Sequence, residues 1–169
     1  QRLTLLLRRS DRDVYVHPST RLPGTVEIEG EIALRMAANQ PFAVCYADLD
    51  HFKEYNDRYS YYDGDRVIRL LAKLLHDVVK GICGEHGFVG HIGGDDFVMV
   101  TTPALAESVC REVVRQFDST ISSLYDEADR AQGHIIHTDR QGNPLRVGFL
   151  TISIAIVTNT KRLRLKQLD

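Results

Sequence analysis

The chain has 169 residues, 43% of them hydrophobic and 26% charged, with 21 Lys and Arg against 23 Asp and Glu for a formal net charge of -2. That composition excludes a disordered or fibrous chain, and the near-balance of charge argues against a dedicated nucleic-acid binder, which carries a basic excess. A chain of this length can bury a core that stabilises one domain without disulfides or a structural metal, and no apolar run approaches the roughly 18 residues that span a bilayer.

Residues 1–9 are Leu-rich and flanked by Arg, the pattern of a helical linker, and residues 10–25, with Pro18, Pro23 and Gly24, read as loop. A helix with an imperfect apolar face starts near Val26 and stops around Asn39 and Pro41. The apolar run from Phe42 to Ala47 ends abruptly in Asp48-Leu49-Asp50, as a buried strand does when it delivers acids to its C-terminal edge. A polar loop then leads into an amphipathic helix over 66–80, where Val67, Ile68, Leu71, Leu74, Leu75 and Val78 fall at helical spacing. Phe88–Ile92 and Phe97–Thr101 are β-prone runs about Gly93-Gly94-Asp95-Asp96, a hairpin whose glycines can take φ > 0. Thr102 and Pro103 open a second helix with Leu105, Val109, Val113, Phe117, Ile121 and Leu124 as its stripe. His134–Thr138 and Leu145–Phe149 flank a polar turn as a hairpin insertion, and Leu150–Val157 is the last strand. With two helices on one face of a mostly antiparallel sheet, this order predicts an α+β, ferredoxin-like βαββαβ core.

Cys45, Cys83 and Cys110 make neither a CxxC pair nor an even framework, so buried thiols in a reducing, cytoplasmic compartment are expected. His134 and His137 form an HxxH without a third ligand and read as surface residues. The chemistry concentrates in the acids. With the first two strands side by side, Asp48, Asp50, Asp95 and Asp96 converge at one sheet edge. Clustered carboxylates raise one another's pKa unless a cation neutralises them, and hard oxygen ligands select Mg²⁺ or Mn²⁺. Mg²⁺ held by one or two carboxylates completes its shell with substrate phosphates, which points to a nucleoside triphosphate. The plain alternative is that Asp50 and one hairpin Asp are solvated turn residues.

The ordered segments Ala47-Asp48-Leu49-Asp50-His51-Phe52-Lys53, Asn56-Asp57, Gly64-Asp65, Gly93-Gly94-Asp95-Asp96-Phe97 and Thr151-Ile152-Ser153-Ile154-Ala155 resemble the successive signatures of the GGDEF domain, the diguanylate cyclase family. His17 to Gly24 resembles, in worn form, its Asp-x-Leu-Thr-Gly-Leu-x-Asn entry motif. The resemblance implies a domain over 17–169, preceded by a linker over 1–16 from an upstream sensor or receiver domain. It also implies that one GTP is bound per chain, and that two copies condense two GTPs into cyclic di-GMP. On the same grounds Asp48, Asp95, Asp96 and the Leu49 carbonyl would hold the metal, and Asp95 and Asp96 would be catalytic. The backbone of His51, Phe52 and Lys53 would cradle phosphates, Gly93 and Gly94 would shape the nucleotide site, and Asn56 and Asp65 would read guanine. A carboxylate accepts from guanine N1–H and N2–H together, which adenine cannot offer.

Four departures set this sequence apart from the family pattern. Asp96 stands where active members carry Glu, and His91 where they carry Arg. Gly84-Glu85-His86-Gly87 occupies the place of the Arg-x-x-Asp product-inhibition site. After Val157 the family's phosphate-binding helix is not matched, and Lys161, Arg162 and Arg164 come too early to replace it, as in a domain truncated at its C-terminal helix. A catalytically weak module that binds GTP and regulates an attached domain is therefore the alternative to an active cyclase.

Overall fold

In the computed structural model, residues 16–138 and 141–160 are described. The expected linker helix over 1–9 and the tail cations Lys161, Arg162 and Arg164 lie outside them. The elements in chain order are α1 (Thr25–Ala37), β1 (Ala43–Asp50), α2 (Phe52–Arg58), α3 (Tyr61–Cys83), β2 (Phe88–Gly93), β3 (Asp96–Thr101), α4 (Pro103–Ile121), α5 (Glu127–Gln132), β4 (Ile135–Thr138), β5 (Pro144–Val147) and β6 (Thr151–Thr158).

Four antiparallel strands make the main sheet in the order β2-β3-β1-β6, and β4 and β5 form a separate two-stranded hairpin. That is the α+β, ferredoxin-like arrangement the element order implied. β1 lies beside β3 and β6, however, not beside β2. The connection between β2 and β3 is a two-residue turn, so β3 folds back between its predecessor and β1.

Apolar packing forms on both faces of the sheet. On one, Cys45, Ala47, Leu49, Phe97 and Met99 meet the stripes of α3 and α4, including Leu71, Leu75, Val113 and Phe117, in the main core. On the other, Ile28 of α1 packs on Phe42, Val98 and Val100. All three cysteines are free and buried, and Cys83 Sγ lies 3.0 Å from Thr101 Oγ1. Among the described residues no helix is long and apolar enough to cross a membrane.

Several local expectations change. β1 continues through Asp48 to Asp50, because its pairing with β6 runs to Asp50–Thr151. The polar loop after it is helical: α2 fills Phe52–Arg58, and α3 begins at Tyr61 with the Ser60 hydroxyl accepting from Asp63 N at 3.1 Å. Thr102 takes the N-cap position of α4 without a side-chain cap, and Ala106 and Cys110 join its buried stripe. Helix α5, with six residues, is too short for periodicity to reveal it.

Candidate functional site

The acid edge is built by strand alternation. Ala47 pairs with Phe97, so the next residues outward, Asp48 on β1 and Asp96 on β3, face one another where the ladder ends. The Asp48 carboxyl is held above its ordinary range by burial first, then by the charges of Asp95, Asp96 and Asp50. Burial likewise raises Asp95, with Asp96 adding to it. Tyr46 stands two residues before Asp48 on the same face, and Asp96 raises the phenol's pKa. The sequence reading missed Tyr46, although alternation along β1 places it there.

Asp50 departs from the expected foursome. Thr151 Oγ1 donates to its Oδ2 at 2.7 Å and Ser153 Oγ donates to both of its oxygens at 2.8 and 3.0 Å, so the side chain is turned toward β6. Three acids remain at the edge.

His51 follows in the left-handed region, φ +66, and opens α2 with no side-chain cap. A left-handed residue followed by right-handed ones turns successive N–H groups to one side, the concavity that binds anions, and this end of α2 leaves the N–H groups of Phe52 and Lys53 without helical partners. One turn on, Asn56 Oδ1 is buried with no hydrogen-bond partner. A side chain at Gly64 would collide with that oxygen, which is why this first-turn position of α3 is glycine. Asn56, Asp65, Phe52 and Tyr61 line a pocket of about 270 Å³ whose far wall is His17, Ser19, His91 and Gly94. Gly94 joins the pocket to the acid edge, since Asp95 is the next residue.

The hairpin turn is locked from beneath. Gly93 and Gly94 have φ of +155 and +59, conformations that need glycine. His91 is buried and stacks on Phe97 with ring centroids 4.2 Å apart. Its Nε2 lies 3.0 Å from the Gly94 carbonyl, which can only accept, so Nε2 carries the proton and Nδ1 accepts from the Thr20 hydroxyl at 2.9 Å. Burial depresses the imidazole's pKa, outweighing the Gly94 hydrogen bond that favours the charged form, and His17 beside it lowers it further. A neutral histidine thus holds the turn where the family pattern has a cation. The segment from His17 to Leu22 matters for the same reason, and Arg21 takes φ +61 at the place of the motif's glycine.

The donor set fits a hard divalent cation in part. Among the described residues no three His, Cys, Asp or Glu side chains make a ready cage. Asp48, Asp95 and Asp96, of which Asp48 and Asp95 are raised first by burial and then by neighbouring charge, supply the carboxylates that such a cation takes when phosphates complete its shell. His134 and His137 form no such centre: His134 Nδ1 lies 3.0 Å from the Gln132 carbonyl, and His137 Nδ1 is 4.0 Å from Asp57.

A family model described as diguanylate cyclase, GGDEF domain, matches residues 18–143. The chain is 30% identical over 141 residues to the diguanylate cyclase TpbB of Pseudomonas aeruginosa, covering 81% of this chain and 28% of TpbB. It is 25% identical over 156 residues to the diguanylate cyclase VdcA of Vibrio cholerae, covering 92% of this chain and 41% of VdcA. It therefore spans less than half the length of these relatives. Its fold is similar to the coiled coil and GGDEF domain of DgcB from Caulobacter crescentus, a structure in complex with c-di-GMP, with a TM-score of 0.67 at 21% identity over 93% of this chain and 75% of that one.

Proposed function

This chain belongs to the diguanylate cyclase GGDEF-domain family, and on that premise we propose that it binds GTP with Mg²⁺ or Mn²⁺ and, as a two-fold dimer, condenses two GTPs into cyclic di-GMP with release of pyrophosphate. The observation that carries this reading is the continuity of two subsites: the Asn56–Asp65 pocket reaches Gly94, and the acids begin at the next residue. Asp65 accepts from guanine N1–H and N2–H, and the unpartnered Asn56 oxygen takes a further donor from the base edge. The N–H groups of His51, Phe52 and Lys53 face the phosphates. Asp48, Asp95 or Asp96 and the Leu49 carbonyl would hold the metal, which when bound supplies charge neutralisation at the phosphates.

An Asp96 or Asp95 carboxylate accepts the proton of the ribose 3′-hydroxyl as that oxygen attacks the α-phosphorus of the GTP on the partner copy, and pyrophosphate leaves. Because each half-site holds one GTP, the second copy completes the reaction. The domain over 17–169 answers in this reading to a sensor or receiver domain upstream that controls pairing, in the cytoplasm.

Incubation of the full-length protein with GTP and Mg²⁺ or Mn²⁺ tests the proposal, with cyclic di-GMP identified by mass spectrometry and the Asp95→Asn variant as control. Absence of product in a preparation shown to be dimeric overturns the cyclase reading. Calorimetric GTP binding without turnover would then assign a regulatory binding module.

A further inference from the structure

We propose that Asp129 is a positioning residue for the nucleotide site: its buried carboxylate grips the end of α2 and so fixes Asn56 and the phosphate-facing N–H groups. The inference rests on the GTP reading above. Helix α2 has seven residues, two turns, and helices shorter than about 12 residues do not hold themselves in water. Whatever fixes α2 from outside therefore fixes the site it carries.

That anchor lies some 70 residues away in sequence. Arg58, the last residue of α2, donates from Nε to Asp129 Oδ2 at 2.9 Å and from its second nitrogen to Oδ1 at 3.2 Å, a bidentate pair. Tyr59 Oη donates to Oδ2 at 2.6 Å. Asp129 is only 2% exposed, yet these bonds offset the burial that would raise its pKa and hold the carboxyl below its ordinary value. The network closes on itself, since Asp126 N donates to Tyr59 Oη at 3.1 Å and Asp126 Oδ1 accepts from Asp129 N at 2.7 Å. A second latch joins the same two segments: Tyr55 Oη donates to the Leu124 carbonyl at 2.8 Å. Tyr125 packs edge-on against Tyr55 and Tyr59, and its hydroxyl accepts from Leu150 N at 2.8 Å, one residue before β6. The segment around α5 thus ties α2 to the sheet, and its buried carboxylate is bonded by Arg58, the last residue of α2, and by Tyr59, which follows it.

The test is the GTP dissociation constant of the full-length protein by calorimetry, for wild type, Asp129→Asn, Tyr59→Phe and the core control Val113→Ala, with melting temperatures alongside. Asp129→Asn is expected to weaken binding at least about tenfold and Tyr59→Phe about threefold. Val113→Ala, on the buried stripe of α4 in the main core, should lower the melting temperature without moving the dissociation constant. If Asp129→Asn does not fold, Tyr59→Phe decides. Variants that bind as tightly as wild type overturn the proposal, as does a Val113→Ala protein that loses as much affinity. A wild type that binds no GTP overturns the functional reading itself, and this one with it.

Discussion

Asp48 and Asp96 stand opposite one another where the β1–β3 ladder ends, and the Asp48 carboxyl is raised above its ordinary range by burial first, then by the charges of Asp95 and Asp96. An acid whose pKa is raised by folding takes up a proton more readily in the native state than in the unfolded one. At neutral pH its charge therefore subtracts stability, which returns as pH falls through the raised pKa.

It follows that Asp48→Asn stabilises the metal-free protein while removing a metal ligand. Its melting temperature without divalent cations should rise by about 1–3 °C. Wild type should be stabilised by Mg²⁺ with GTP, and the variant should not. Scanning fluorimetry with and without Mg²⁺ and GTP separates the two effects, and a variant still stabilised as wild type is would take Asp48 out of the metal site.

Asp96→Glu restores the longer side chain of the family pattern at a position close enough to Tyr46 to raise that phenol's pKa. A misplacement of about 1 Å at a reacting centre costs up to 10²-fold, so the substitution should raise kcat by about 10–100-fold with little change in KM. An unchanged kcat would place the limitation elsewhere, in the neutral His91 or in dimer geometry.

Gly64→Ala puts a methyl group against Asn56 Oδ1 and the Phe52 ring. The Asn56 side chain must swing away, so GTP affinity should fall by about tenfold, the scale of one hydrogen bond to the base, while stability changes little. Calorimetry paired with a urea titration checks it; equal affinity would show that Asn56 does not read the base.

His91 is kept neutral in the fold, its pKa lowered by burial, whereas in the unfolded chain it titrates near 6.5. Its contribution is thus present above that pH and lost as acid protonates the unfolded chain first. Wild type should lose melting temperature as pH falls below about 6.5 more steeply than His91→Gln, in which an amide N–H can still reach the Gly94 carbonyl. Parallel slopes would mean that folding leaves the titration of His91 unchanged.

Much of this was legible in residue order alone, because it depends on local periodicity. Period-3.6 stripes announced α3 and α4, apolar runs announced β1, β3 and β6, and the glycine pair announced a turn whose φ values are positive. The acids, Asn56 and Asp65 were legible as motifs. Why glycine occupies position 64 was not, since the reason is a side chain eight residues earlier folded back against it.

Sequence by itself therefore determined which residue types this protein brings to its candidate site and that the acids ride on the end of β1 and on a hairpin turn, since pattern, turn chemistry and motif spacing are properties of short stretches. Only the tertiary structure decided which of them meet. It set β3 rather than β2 beside β1 and turned Asp50 toward Thr151 and Ser153, about a hundred residues away. It also closed Asp129 onto Arg58 and Tyr59. Each of these outcomes depends on strand register or on packing between distant segments, and neither leaves a trace in the spacing of neighbouring residues.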